Sequence, residues 1–284
     1  MKIVLGSAQF GVKYGILSNK KLGKKEFPKI EKKIFRSNIK FIDTSSNYID
    51  SEKYIGLSKL RSLNIITKIK LSTNKKDSIK KSVNSTISRS LKRLNCKNLY
   101  GVLIHDYTDL LGANGKEFLN ELKLLKKNRI IKNIGISIYS PNELNVIWKF
   151  WKPDLIQAPF NIFDQRILKT GWIDKLKKNH VKIFVRSSFL QGILVGNYRA
   201  LKIPKKFKLY VKKFDKWCLE NNITRLKACL DFVKQFKKID FIVVGFNNYE
   251  QLDQIISNFN KKGTIVPKKF ITNNLNVIDP RRWK

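Results

Sequence analysis

The chain has 284 residues, of which 42% are hydrophobic, including 18 Phe, 9 Tyr and 5 Trp. That is enough apolar material for a large packed core without covalent staples. Lys and Arg number 59 against 21 Asp and Glu, a net charge of +38, but the basic residues are mostly Lys, dispersed in pairs such as Lys20-Lys21, Lys126-Lys127, Lys177-Lys178 and Lys205-Lys206; such dispersal argues for solvated helix faces and against a specific nucleic-acid partner.

Three Cys (Cys96, Cys218, Cys229) fit neither a disulfide framework nor a zinc pattern. No apolar run is long enough to span a membrane, and the first residues lack the apolar region of a signal peptide. A reducing, cytoplasmic setting is the expectation.

Short apolar segments alternate with amphipathic ones along the whole chain. Strands are predicted at Lys2 to Leu5, at Phe41-Ile42 ending in Asp43-Thr44, at Asn64 to Thr67, and at Leu99 to Ile104. Four more follow at Ile134 to Ile136, Leu155 to Gln157, Val181 to Val185 and Phe241 to Val244. Their unbroken apolar character is that of strands buried on both faces. Ile79, Val83, Ile87 and Leu91 recur at steps of four, and Phe118, Leu122 and Leu125 at four and three, which is helical spacing. Further helices are expected at 24–38, 51–62, 142–151, 165–179, 204–238 in two pieces, and 248–260. Eight strand–helix repeats give an α/β chain forming a (β/α)8 TIM barrel in a single domain over 1–284. An irregular tail from 261 is expected to lie over the barrel mouth. A doubly wound open sheet is the alternative, disfavoured because no G-x-G-x-x-G follows the first strand.

In such barrels chemistry sits at the C-terminal ends of the strands. Asp43 ends the second strand, Tyr48 follows in its loop, Lys68 ends the third and His105 ends the fourth. The other histidine, His180, precedes the seventh strand and so belongs to the opposite end. A phenol titrates near pH 10, and a neighbouring ammonium lowers that value. Bringing it down by about two takes about 2.7 kcal/mol of differential interaction, which Lys68, held by Asp43, is expected to supply to Tyr48. A neutral His105 would orient a carbonyl oxygen while Tyr48 protonates it. No acidic cluster suggests a metal.

The segment Phe41-Ile42-Asp43-Thr44-Ser45-Ser46-Asn47-Tyr48-Ile49-Asp50-Ser51-Glu52 resembles the signature D-T-A-x-x-Y-G-x-S-E of the aldo/keto reductase family. Ile66-Thr67-Lys68 and Leu103-Ile104-His105 resemble two further strand motifs of that family, Leu5 to Gly11 its first-strand motif, and Arg186 to Leu194 its seventh-strand loop. The resemblance implies Tyr48 as general acid/base, tuned by Asp43 and Lys68, with His105 orienting the carbonyl. It further implies a nicotinamide dinucleotide, NADPH by family default with NADH as the alternative, and a small carbonyl substrate, a sugar or phosphorylated compound being suggested by charge.

The implied dinucleotide contacts are Gly6, Ser137, Gln157, Arg186, Ser187, Gly245, Asn247 and Gln251. Asn248 is expected to cap the last helix, with Gln251 closing a capping box and free N–H groups meeting a phosphate. Three positions depart from the family pattern. Ile138 stands where Asn is usual. Arg186 replaces an aromatic, and its flat guanidinium would have to stack on the nicotinamide ring. Ile49 replaces a glycine that permits positive φ, so the loop after Asn47 is expected to take a different path. Phe270 and Trp283 of the tail are expected in the substrate pocket. The alternative reading is a nucleotide-binding regulatory barrel with little turnover.

Overall fold

The computed structural model describes residues 1–15, 22–71, 78–200 and 203–283, so Lys20 and Lys21 lie outside the described residues. The strands are β1 (Lys2–Gly6), β2 (Phe41–Asp43), β3 (Asn64–Ile69), β4 (Leu99–Ile104), β5 (Ile131–Ser137), β6 (Leu155–Pro159), β7 (Lys182–Arg186) and β8 (Phe241–Val244). Each pairs in parallel with the next, and β8 returns to β1, closing the barrel. The helices, in chain order, are α1 (Ala8–Gly11), α2 (Phe27–Arg36), α3 (Ser51–Leu57), α4 (Ile79–Leu94), α5 (Gly115–Lys127), α6 (Pro141–Ile147), α7 (Arg166–Lys169), α8 (Trp172–Lys178), α9 (Lys205–Glu220), α10 (Arg225–Lys234), α11 (Tyr249–Asn260) and α12 (Leu275–Ile278).

The expected element order is found, with boundaries moved by a few residues. Lys68 stands one residue inside β3 rather than at its end. Val83 and Ile87 of α4, and Phe118, Leu122 and Leu125 of α5, are the buried positions anticipated from their spacing. The tail is less irregular than expected, carrying α12 and short 3-10 turns at Lys268–Phe270 and Pro280–Arg282.

Side chains alternate across each strand with a period of two. One set (Val4, Phe41, Ile66, Leu103, Leu155, Phe184 and Phe241) fills the barrel interior. There Phe184 stacks on Phe241 with centroids 4.2 Å apart, and Phe41 meets Phe241 edge-on at 4.8 Å. Burying each such side chain contributes about 1.5–3 kcal/mol. The alternate set, including Leu5, Ile42, Ile65 and Val102, joins the helices in the surrounding shell.

The period of two also positions the site. Two residues beyond Phe41, Ile66, Leu103, Leu155 and Phe184 on the inward side come Asp43, Lys68, His105, Gln157 and Arg186. All strands run the same way, so the inner face changes from apolar to polar at one common rim.

Candidate active site

Asp43 and Lys68 form a buried ion pair at that rim. Lys68 Nζ donates to Asp43 Oδ1 at 2.8 Å and Oδ2 at 2.6 Å, and to the Thr44 carbonyl at 3.0 Å. Gln157 Nε2 adds a 2.8 Å bond to Asp43 Oδ1 from across the barrel. The ammonium lies 5.3 Å from the centroid of the Tyr48 ring. Asn47 Nδ2 lies 3.4 Å from His105 Nδ1, and as an amide donor it leaves that nitrogen the acceptor. Burial, with the Lys68 and Arg186 charges, pushes the imidazole pKa down to about 4. At neutral pH the ring is therefore uncharged, with its proton on Nε2. Asp43, Tyr48, Lys68 and His105 are thus brought to one end of the barrel, while His180 precedes β7 at the other.

Tyr48 behaves otherwise than its neighbourhood suggests in sequence. Its phenol is pushed up from the ordinary value, by burial first and by the Asp43 charge second. The lowering expected from Lys68 does not prevail because that ammonium is already engaged by Asp43 and Thr44. The loop after Asn47 also differs from expectation: Ile49 itself takes φ of 46°. A β-branched residue in the left-handed region is strained by about 1–2 kcal/mol, and Ile49 carries that strain in the place glycine was expected to be needed.

A cavity of about 310 Å³ opens beside this cluster. Asp43 and Tyr48 line it, as do Gly6, Gln157, Arg186, Ser187, Gly245, Asn247 and Gln251, the positions singled out in sequence for a dinucleotide. Ser137 is buried at the end of β5, paired in register with Gln157, but does not line the cavity. Ile138 is wholly buried in the core, and its carbonyl accepts from Arg186 Nη2 at 3.0 Å. The Arg186 guanidinium lies 4.5 Å from the Tyr139 ring centroid, so the ring it stacks on belongs to the protein.

Several lining residues carry no role in the sequence analysis, among them the polar Gln9, Tyr14, Ser188, Gln191 and Gln254. Gln9 lay within the first-strand motif, and Ser188 directly follows a predicted contact; these were the available signals. Among the described residues, Gln9 Oε1, Gln157 Oε1, Ser188 Oγ and Asn247 Oδ1 are buried polar atoms without a hydrogen-bond partner, and all four belong to the cavity wall. Unsatisfied buried acceptors cost about 1–3 kcal/mol each, so four of them on one wall fit a ligand that carries hydrogen-bond donors. Gly245 fits the same purpose: a Cβ there would come within 2.6 Å of Gln9 Nε2. The loop after β7 holds Ser187, Leu190 and Gln191 at positive φ, and such strain clusters at ligand sites.

The phosphate end departs from expectation. Asn248 caps α11, accepting from Gln251 N at 2.9 Å, but Gln251 Oε1 accepts from Asn247 N instead of closing the box on Asn248. The Tyr249 N–H, expected free for a phosphate, donates to Glu26 Oε2 at 2.8 Å.

The tail aromatics are likewise elsewhere than predicted. Phe270 packs on Phe214 and Trp217 of α9, and Trp283 on Phe207; neither lines the cavity. Arg281 lies 3.9 Å from the Tyr139 ring centroid. Among the described residues no group of His, Cys, Asp and Glu could hold a metal, and no helix is long and apolar enough to cross a membrane.

The sequence pattern of the aldo/keto reductase family matches residues 2–269. An aldo-keto reductase from Bacillus halodurans in its holo form is similar in structure, with a TM-score of 0.75 at 15% identity, covering 99% of this chain and 95% of that one. A glycerol dehydrogenase from Gluconobacter oxydans gives a TM-score of 0.72 at 18% identity, covering 94% and 88%. At such identities the likeness is one of fold, and no curated protein matches the sequence. The family match runs through both the polar rim and the cavity wall, and the chain belongs to the aldo/keto reductase family.

Proposed function

We propose that the chain reduces a small carbonyl compound to an alcohol with a nicotinamide dinucleotide. The observation that carries this is the buried Asp43–Lys68 pair beneath the Tyr48 ring, beside a cavity whose wall holds four unpartnered polar atoms. The dinucleotide, when bound, supplies hydride to the carbonyl carbon. Tyr48 gives its proton to the oxygen and is reprotonated from solvent. With its pKa raised, the Tyr48 phenol keeps its proton in place at neutral pH, as a weaker acid than an unperturbed phenol. The paired Lys68 and Asp43 fix the geometry under the ring, and the Nε2–H of neutral His105 donates to the carbonyl oxygen.

Gln157, held through its Nε2 by Asp43, presents its free Oε1 to the nicotinamide carboxamide, with Ser137 beside it. Gly6, Ser187, Gly245, Asn247 and Gln251 continue the dinucleotide wall, and Arg186 stands where that wall meets the catalytic rim. The Glu26 carboxylate, which accepts from the Tyr249 N–H at the start of α11, supports NADH over the 2′-phosphorylated NADPH that is the family default. Residues 261–284 belong to the barrel domain and cover one side of its mouth, a reading supported by the Arg281–Tyr139 contact. Three free thiols agree with a cytoplasmic setting.

Fluorescence titration of the purified chain with NADH and NADPH is the test. Micromolar binding is expected, and Tyr48→Phe should lower reduction of a reactive aldehyde by about 10²–10⁴-fold while leaving dinucleotide affinity nearly unchanged. Wild-type turnover in that variant removes Tyr48 as donor. Binding without turnover in the wild type favours a regulatory barrel.

A further inference from the structure

Arg186 is the cation of the cavity wall whose charge is unanswered. Its guanidinium donates to the Ile138 carbonyl at 3.0 Å and to Ser187 Oγ at 3.2 Å, both neutral acceptors. Among the described residues no carboxylate lies within ion-pair distance of it, whereas the other cations around it are paired. Lys68 is engaged by Asp43, Arg166 by Asp164 at 2.7 Å, and Arg281 by Asp279 at 2.6 Å. The nearby Glu143 carboxylate accepts from the Tyr139 and Ser140 N–H groups, each at 3.1 Å. With Asp43 and Lys68 cancelling, the cavity keeps one net positive charge, and its field reaches both Tyr48 and His105. A guanidinium offers five N–H donors in a planar fork that matches a carboxylate or phosphate. Two of those are used on backbone and hydroxyl, and Tyr139 supports the plane from one side.

We propose that Arg186 anchors an anionic group, carboxylate or phosphate, carried by the carbonyl substrate. This rests on the reductase reading. The anion is a spectator: hydride still goes from the reduced nicotinamide to the carbonyl carbon and a proton from Tyr48 to oxygen, while the charged group fixes the carbonyl near both. Neutral aldehydes of the same length lack the anchor and are poorer substrates.

Succinic semialdehyde and butanal share a four-carbon chain and differ in a terminal carboxylate. The ratio of their kcat/KM values should be about tenfold or more in favour of the anion, fall to about one in Arg186→Met, and recover in part in Arg186→Lys, which restores the charge without the fork. Glyceraldehyde 3-phosphate against glyceraldehyde gives the same comparison for phosphate, and the larger ratio identifies the anion. A wild-type ratio of one for both pairs, or a ratio untouched by Arg186→Met, overturns the proposal. Calorimetric titration with succinate reads the anchor without turnover. Binding lost in Arg186→Met supports it even if no aldehyde is reduced, in which case it is the reductase reading that fails. No succinate or phosphate binding to the wild type overturns the anchor even if butanal is reduced.

Discussion

Asp43 and Gln9 are both buried polar side chains at the mouth of one barrel, and they are treated in opposite ways. Asp43 is met by Lys68 through both oxygens and by Gln157 through one. Gln9 Oε1 has no partner, nor do Ser188 Oγ and Asn247 Oδ1 along the same wall. On the β2–β3 side the polar atoms are satisfied by the protein, so the chemical group is rigid before any ligand arrives. On the side formed by α1, β8 and the loop after β7, polar atoms are left in reserve and the backbone is held at positive φ. The first side answers its own polar groups, with strain confined to Ile49, and the second carries unanswered ones that a bound ligand would satisfy.

Breaking the satisfied side should have the largest effect. Lys68→Met leaves the Asp43 carboxylate buried with only Gln157 to answer it, and loss of one partner of a buried pair costs about 3–5 kcal/mol. Urea denaturation should show that loss, together with the disappearance of reduction. A variant as stable as the wild type would mean that Asp43 is neutralised some other way.

A change on the unsatisfied side should do the reverse. In Gly245→Ala the new Cβ meets the Gln9 amide at 2.6 Å, and the amide is the far end of a flexible side chain that can move aside. Global stability should stay close to that of the wild type, while dinucleotide affinity falls by about tenfold, the worth of one good hydrogen bond. Equal affinity in the variant would show that Gln9 does not face the ligand.

The smallest effect concerns pH. His105 has a folded pKa of about 4 against an ordinary 6.5, so the unfolded chain takes up the proton first as pH falls. Its contribution to stability is complete above pH 6.5 and is lost progressively between 6.5 and 4. The chain has two histidines, so proton NMR with His180→Gln as the assignment control should place the His105 midpoint near 4. A midpoint near 6.5 would mean that the ring is solvated and carries a charge through much of the working range.

The barrel and the polar residues at its rim were legible in sequence for one reason. Asp43, Lys68 and His105 each follow, two positions on, an apolar residue of the barrel interior, and a period of two needs no tertiary information. The phenol shift of Tyr48 was not legible, because it depends on how deeply the ring is buried and on where the Lys68 charge is spent. Glu26 reaches Tyr249 from the opposite end of the chain, a contact that only barrel closure creates. Phe270 and Trp283 looked like pocket residues because they are aromatic and belong to the tail, yet α9 offered them a packing surface. Ile49 was misread because side-chain preference is a weak guide where the surrounding loops dictate the backbone.

Gly11 lies outside the cavity wall but touches the loop that carries Tyr48. A Cβ there would overlap the Tyr48 carbonyl and press on Ser51 N at 2.6 Å, and Ser51 Oγ in turn donates to the Ser7 carbonyl at 2.9 Å. The loop that follows the first strand and the loop that carries Tyr48 are therefore one mechanical part. Any substitution at position 11 would be inherited as a displacement of Tyr48, although residue 11 does not line the cavity. In a search for variants with altered activity, this glycine would score as catalytic while doing nothing but keeping out of the way.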